Sequence, residues 1–216
     1  MPLRPLAAAR NSLRALAITG AGPAELLRML NGVMCELTSG VVGTVVCGLY
    51  NPATSMLRWA RAGHLPPVLV RGRTASELPL PGGVLLGMDP DASYEEATQP
   101  LQSGDTLLLF TDGLIERRGE SIVDVLGEFV ATVAPASEGA GLTAAALADR
   151  ILATAVSDTE DDACLVAVRV RRKGQARLAA GSPGSPMARL DQPIGPAHDA
   201  GREQSVTLRS GSALYN

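Results

Sequence analysis

The fold of this chain turns on Thr106-Leu107-Leu108-Leu109-Phe110-Thr111-Asp112-Gly113-Leu114-Ile115-Glu116. Gly104-Asp105 ahead of it is a turn. The run from Thr106 to Phe110 fits a central strand buried on both faces. Thr111-Asp112-Gly113 ends that strand. An Asp in this position projects its carboxylate from a rigid base into a crevice, and the glycine after it lets backbone or ligand come close.

On the C-terminal side, residues 120–133 and 142–155 carry helical periodicity. A last strand is expected over residues 163–170, just after Asp158-Thr159-Glu160-Asp161-Asp162, which holds four acids in five residues. Like charges packed so closely are costly unless solvent or a cation compensates. Hard cations such as Mg²⁺ and Mn²⁺ take oxygen ligands. A strand-end Asp-Gly is also an ordinary turn, and an acidic run is also a solvated loop. Spacing by itself does not bring the two together.

On the N-terminal side, Leu6, Ala9, Leu13 and Leu16 fall at helical spacing, with Arg10 and Arg14 expected to face water. Pro23 suits a first helical turn, and Leu26, Leu27, Leu30, Val33 and Met34 mark the buried face of a second helix ending near Leu37. Residues 41–50 are rich in β-formers, Asn51-Pro52-Ala53-Thr54 is a turn, and residues 56–61 alternate as a strand paired back on the first. Residues 66–70 read as another strand with a short return at Glu77-Leu78. Residues 89–99 read as an acidic edge strand around Tyr94. Hairpins with segregated helices make the class α+β, and the absence of alternating βαβ units argues against a Rossmann fold.

Six aromatics, 3% of 216 residues, leave Ala, Val and Leu to fill the core. Residues 1–170 carry twelve basic and nineteen acidic side chains, a net of −7, whereas residues 171–216 carry seven and three, a net of +4. The division expected is a folded domain over 1–170 and a basic, Gly/Pro/Ser-rich disordered tail over 171–216. An acidic body argues against nucleic acid as a partner and attracts divalent cations. No apolar run is long enough to span a membrane. Cys35, Cys47 and Cys164 are scattered, which suits small buried residues in a reducing compartment, hence the cytoplasm. His64 lies in Ala62-Gly63-His64-Leu65-Pro66-Pro67, where it is either a structural hydrogen-bonding residue or an auxiliary acid or phosphate contact. His198 lies in the tail.

Taken in order, Ala62-Gly63-His64-Leu65-Pro66-Pro67, Leu86-Gly87, Gly104-Asp105-Thr106, residues 110–116 and Asp161-Asp162-Ala163 resemble the C-terminal two-thirds to three-quarters of the SpoIIE-type bacterial serine/threonine phosphatases. These are metal-dependent PPM (type 2C) phosphatases. The resemblance runs over roughly residues 10–170. It implies an αββα sandwich, two antiparallel sheets flanked by helices, and a two-metal Mn²⁺ or Mg²⁺ site whose water hydrolyses phosphoserine or phosphothreonine. It makes Asp112 a metal ligand, with Gly113 as backbone beside the site. It also makes Asp161 a ligand, with Asp162 the second choice. The implied partner is a phosphorylated regulatory protein such as an anti-anti-sigma factor, which implies a role in signal transduction and sigma-factor control. A longer form would have room for an upstream sensor domain or a dimer.

The family's G-G-D and G-D-x-x-G-H-G motifs occur nowhere in the 216 residues. The expectation is therefore an N-terminally truncated domain with an incomplete metal site, open sheet edges and weak activity at best. The second reading is a non-catalytic remnant that binds a phosphoprotein as a regulatory module.

Overall fold

The structure is a computed structural model that describes residues 3–37, 40–137, 142–154, 163–171 and 204–207. Two helices come first, α1 (Leu3–Leu16) and α2 (Pro23–Leu37). Pro23 opens α2, where its missing N–H is no loss, and Leu26 N–H closes the first turn on Gly22 O at 2.9 Å. The strands β1 (Val45–Asn51) and β2 (Met56–Ala62) form a hairpin. Asn51 shapes its turn by accepting from the Ala53 and Thr54 amides at 2.8 and 3.3 Å. Then come β3 (Val68–Arg71), β4 (Thr74–Glu77), β5 (Ala97–Pro100) and β6 (Thr106–Phe110). Helices α3 (Ile122–Ala136) and α4 (Ala144–Thr154) precede β7 (Leu165–Arg169), and β8 is Gln204–Thr207.

The strands form two antiparallel sheets, ordered β5-β2-β1-β8 and β4-β3-β6-β7. Strand period sorts the apolar side chains into three layers. Leu108 and Phe110 of β6 face α3 and α4, meeting Val125, Phe129, Val133, Leu147 and Ile151. Leu107 and Leu109 face the other sheet, where Val46, Leu57 and Trp59 meet them. The far side of that sheet offers the small residues Cys47, Ala60 and Ala62, against which α1 and α2 sit through Leu13, Leu27, Leu30 and Met34. This is the αββα sandwich expected from the sequence. The few aromatics suffice because Phe110 and Phe129 pack as a tilted pair with ring centroids 4.6 Å apart in one layer and Trp59 fills the next.

Four details differ from the sequence reading. The acidic stretch from Asp89 is a loop, and the edge strand is limited to Ala97–Pro100. Long-range bonds hold the loop: Asp89 O accepts from Asn31, and Glu95 N–H donates to Gly82 O at 2.8 Å. Arg14 faces solvent, but Arg10 is half-buried. Cys47 is buried, and burial pushes its thiol up to about 11. Cys164, by contrast, is exposed ahead of the β7 ladder. Finally, Gln204–Thr207, within the segment read as structureless, pairs with β1 and covers backbone groups that would otherwise form an open edge.

In the other sheet, all five residues of the edge strand β7 are half-buried. An apolar cleft of about 310 Å³ lies between the sheets there, bounded by Trp59, Leu107, Leu109 and Val168.

Leu108 is fully buried at the centre of β6. Its truncation to Ala should cost about 2–5 kcal/mol, read by urea unfolding. A loss below about 1 kcal/mol would contradict two-sided burial of the strand.

Candidate metal centre

Asp112 lies where β6 runs out. Thr111 keeps extended backbone (φ −80°, ψ 155°), and Asp112–Leu114 then close into a single 3₁₀ turn. The Ile115 and Glu116 amides both donate to the Asp112 carbonyl at 2.8 Å. The Asp112 carboxylate accepts the Gly113 N–H at 3.0 Å. Asp112 is half-buried, whereas Thr111, Gly113, Leu114 and Ile115 around it are buried. The carboxylate therefore stands on a base fixed by packing, as its position in the sequence suggested.

Thr111 ties this base to β7. Its N–H donates to Cys164 O at 3.0 Å, and Cys164 N–H donates to Thr111 Oγ1 at 2.9 Å. The ladder thus runs one pair beyond Phe110↔Leu165.

His64 sits where the chain leaves β2 in one sheet to enter β3 in the other. β3 pairs antiparallel to β6 with Val68 opposite Leu108, so four steps outward in both directions bring His64 to the level of Asp112. The ring is only 6% exposed, and burial pushes its pKa below the usual imidazole value. The Asp112 charge pulls the other way, so the two groups are within electrostatic reach. Nδ1 lies 2.9 Å from Leu65 O, which in the neutral ring makes Nδ1 the donor and leaves Nε2 as acceptor.

The crossover is held by residues that sequence reasoning missed. Arg61 donates from Nη1 to His64 O at 2.6 Å and from Nε to Pro81 O at 3.1 Å. Gly63 donates to Gly83 O and has φ +63°; a Cβ there would lie 2.8 Å from Leu85 Cγ. Gly87, at φ +76°, has no room for a Cβ, which would stand 2.3 Å from Val41 O. Buried Asn31 reaches across from α2: its Oδ1 accepts Gly87 N–H and its Nδ2 donates to Asp89 O, both at 2.8 Å. Asn31 had a signal, since a polar residue interrupts the apolar stripe of Leu27, Leu30 and Met34. Arg61 had none.

Asp161 and Asp162, with the rest of the 158–162 run, lie outside the described residues. Among the described residues no group of three or more His, Cys, Asp or Glu side chains could hold a metal ion. Asp112 places one carboxylate at this strand end, and the described residues alone do not make up a metal site.

The family model of Stage II sporulation protein E (SpoIIE) matches residues 5–171. Phosphoserine phosphatase RsbU of Bacillus subtilis (strain 168) is 30% identical over 105 residues, which is 48% of this chain and 31% of that protein. The chain thus spans under a third of the length of this curated relative. The solved RsbU and RsbW domains of a Mycobacterium tuberculosis protein superpose with a TM-score of 0.66 at 26% identity, covering 76% of this chain and 47% of that one. The PPM Ser-Thr phosphatase MsPP from Mycobacterium smegmatis shares the fold, with a TM-score of 0.54 at 16% identity over 76% of this chain and 81% of that one.

The buried His64 gives a pH dependence of definite sign. Above about pH 6.5 the ring is neutral in both folded and unfolded chains and adds no slope. Below that, the unfolded ring takes up a proton that the folded one resists, so stability falls as the pH falls. Thermal midpoints at pH 7.5 and 5.5 should show a drop that His64→Gln reduces. An equal drop in both proteins would mean that His64 is not held neutral.

Proposed function

The chain belongs to the SpoIIE family, and on that premise we propose that it is the phosphatase portion of a metal-dependent protein serine/threonine phosphatase. The observation that carries this reading is the β6–β7 register. Phe110 faces Leu165, so two further steps bring Asp112 level with Ala163, the residue that follows Asp161-Asp162. The register thus brings Asp112 level with the first described residue after the acidic run. In this reading Asp112 and Asp161 are ligands to Mn²⁺ or Mg²⁺, with Asp162 the weaker choice. Such a cation lowers the pKa of a bound water and so supplies a nucleophile for a phosphate monoester. Gly113 keeps the backbone beside Asp112 free of a side chain. Neutral His64, within electrostatic reach of Asp112, keeps Nε2 as an acceptor.

The proposed substrate is phosphoserine or phosphothreonine on a regulatory protein such as an anti-anti-sigma factor, and the proposed setting is the cytoplasm. RsbU, the partly matching relative, is a phosphoserine phosphatase. No helix among the described residues is long and apolar enough to cross a membrane.

A second reading has an observation of its own. The G-G-D and G-D-x-x-G-H-G motifs occur nowhere in the 216 residues, which favours a non-catalytic module that binds a phosphoprotein without hydrolysing it. Calorimetry of this chain with Mn²⁺ separates the two. Binding of two ions supports catalysis, and no binding supports the remnant.

In a catalytically active form, Asp112→Asn should abolish Mn²⁺-dependent turnover of a phosphoserine peptide and leave the thermal midpoint within a few degrees. Asp161→Asn should cost more activity than Asp162→Asn. Turnover retained in Asp112→Asn would refute the ligand assignment.

A further inference from the structure

A bonded pair in an antiparallel ladder exchanges two hydrogen bonds, each residue's N–H donating to the other's carbonyl. Thr111 and Cys164 keep one of the two in this form. Thr111 N–H donates to Cys164 O at 3.0 Å, whereas Cys164 N–H donates to Thr111 Oγ1, at 2.9 Å. The Thr111 carbonyl is engaged in the turn. It accepts Leu114 N–H at 3.0 Å and so closes the 3₁₀ segment that carries Asp112. A carbonyl has lone pairs for two donors, but they bond well only where both approach near its plane. Here the donor in the turn has the carbonyl, and the donor across the sheet goes to the hydroxyl group.

We propose that Thr111 is a positioning residue for Asp112, its hydroxyl group standing in for its own carbonyl in the β6–β7 ladder so that ladder and turn coexist. The role for the site rests on the reading of Asp112 as a metal ligand. Pairing that runs right up to a tight turn puts the sheet and the turn in competition for one backbone acceptor. Without a side-chain acceptor, either the ladder stops at Phe110↔Leu165 or the carbonyl swings to Cys164 and the turn opens. Each alternative releases Asp112 from its fixed relation to β7, the strand that follows Asp161-Asp162 in the chain.

The residue type suits the task. Thr111 is 4% exposed, so water does not readily replace the hydroxyl group. Its backbone stays extended (φ −80°, ψ 155°), which holds the ladder register up to the residue before Asp112. Its branched Cβ restricts χ1, so the hydroxyl group is held at little further cost in freedom. Serine offers the same acceptor, and valine offers nearly the same shape with none.

Amide hydrogen exchange of the metal-free chain, followed by NMR, reads the tie independently of activity. Cys164 is exposed, so its amide can turn to water and the fold should survive Thr111→Val. In that variant the carbonyl has to serve one donor or the other. The Cys164 or the Leu114 amide should then exchange about tenfold faster, close to the worth of one hydrogen bond. Leu109 and Val166, the next bonded pair inward, should keep their protection. Thr111→Ser should keep both amides slow. Should valine disturb the core, Thr111→Ala against Thr111→Ser makes the same comparison.

Calorimetry with Mn²⁺ reads the consequence for the site. Affinity should fall about tenfold in Thr111→Val and return to within about twofold of the parent in Thr111→Ser. A parent that binds no Mn²⁺ counts against the metal-dependent reading, and the exchange result then decides the role of Thr111 by itself. Both amides still protected in Thr111→Val, exchange in Thr111→Ser as fast as in Thr111→Val, or equal Mn²⁺ affinity in parent and Thr111→Val would each overturn the proposal.

Discussion

Strand β6 has to be dry on both faces, and the rest of the molecule follows from that requirement. All five of its residues are buried. A strand of this kind cannot lie on the surface of a two-layer domain, so one cover must come from α3 and α4 and the other from the second sheet. The second sheet is then sealed on its own far side by α1 and α2, and the four-layer order results. The candidate centre lies at one end of this strand, where its backbone emerges from the core.

Much of this could be read from the residues. The uninterrupted run from Thr106 to Phe110 marked the central strand, Pro23 marked the start of α2, and Asn51-Pro52 marked the first hairpin. These signals are local, because each depends on backbone preferences within a few residues. The loop from Asp89 to Glu96 was misread as strand because its conformation is dictated from elsewhere, by Asn31 on α2 and by Gly82. β8 was missed for a related reason. Gln-Ser-Val-Thr has little pattern of its own and becomes a strand only against the open edge of β1.

The site was legible in part. Asp112 could be picked out because Asp-Gly follows a buried strand. Its closeness to His64 could not, since it depends on β2 and β3 belonging to different sheets and on the Val68–Leu108 register. Arg61 illustrates the limit further. Its side chain ties His64 to Pro81 by donating to two carbonyl groups, and neither bond follows from its place in an alternating strand. The motif match of the separate segments 62–67 and 86–87 acquires a physical basis here, because a short series of backbone bonds holds both against the same crossover.

The tie between Thr111 and Cys164 also bears on how the chain acquires its shape. The hairpins β1–β2 and β3–β4 close over a few residues, at small entropic cost. Joining Thr111 to Cys164 must draw together groups 53 residues apart, with α3 and α4 between them. Pairing of that range is slow to form and contributes nothing until most of the chain has been ordered. During synthesis from the N-terminus, Asp112 has left the ribosome well before the strand that completes its surroundings exists. The β6–β7 pairing is therefore the last part of this sheet to form, and a ligand bound at its Asp112 end would act on folding too.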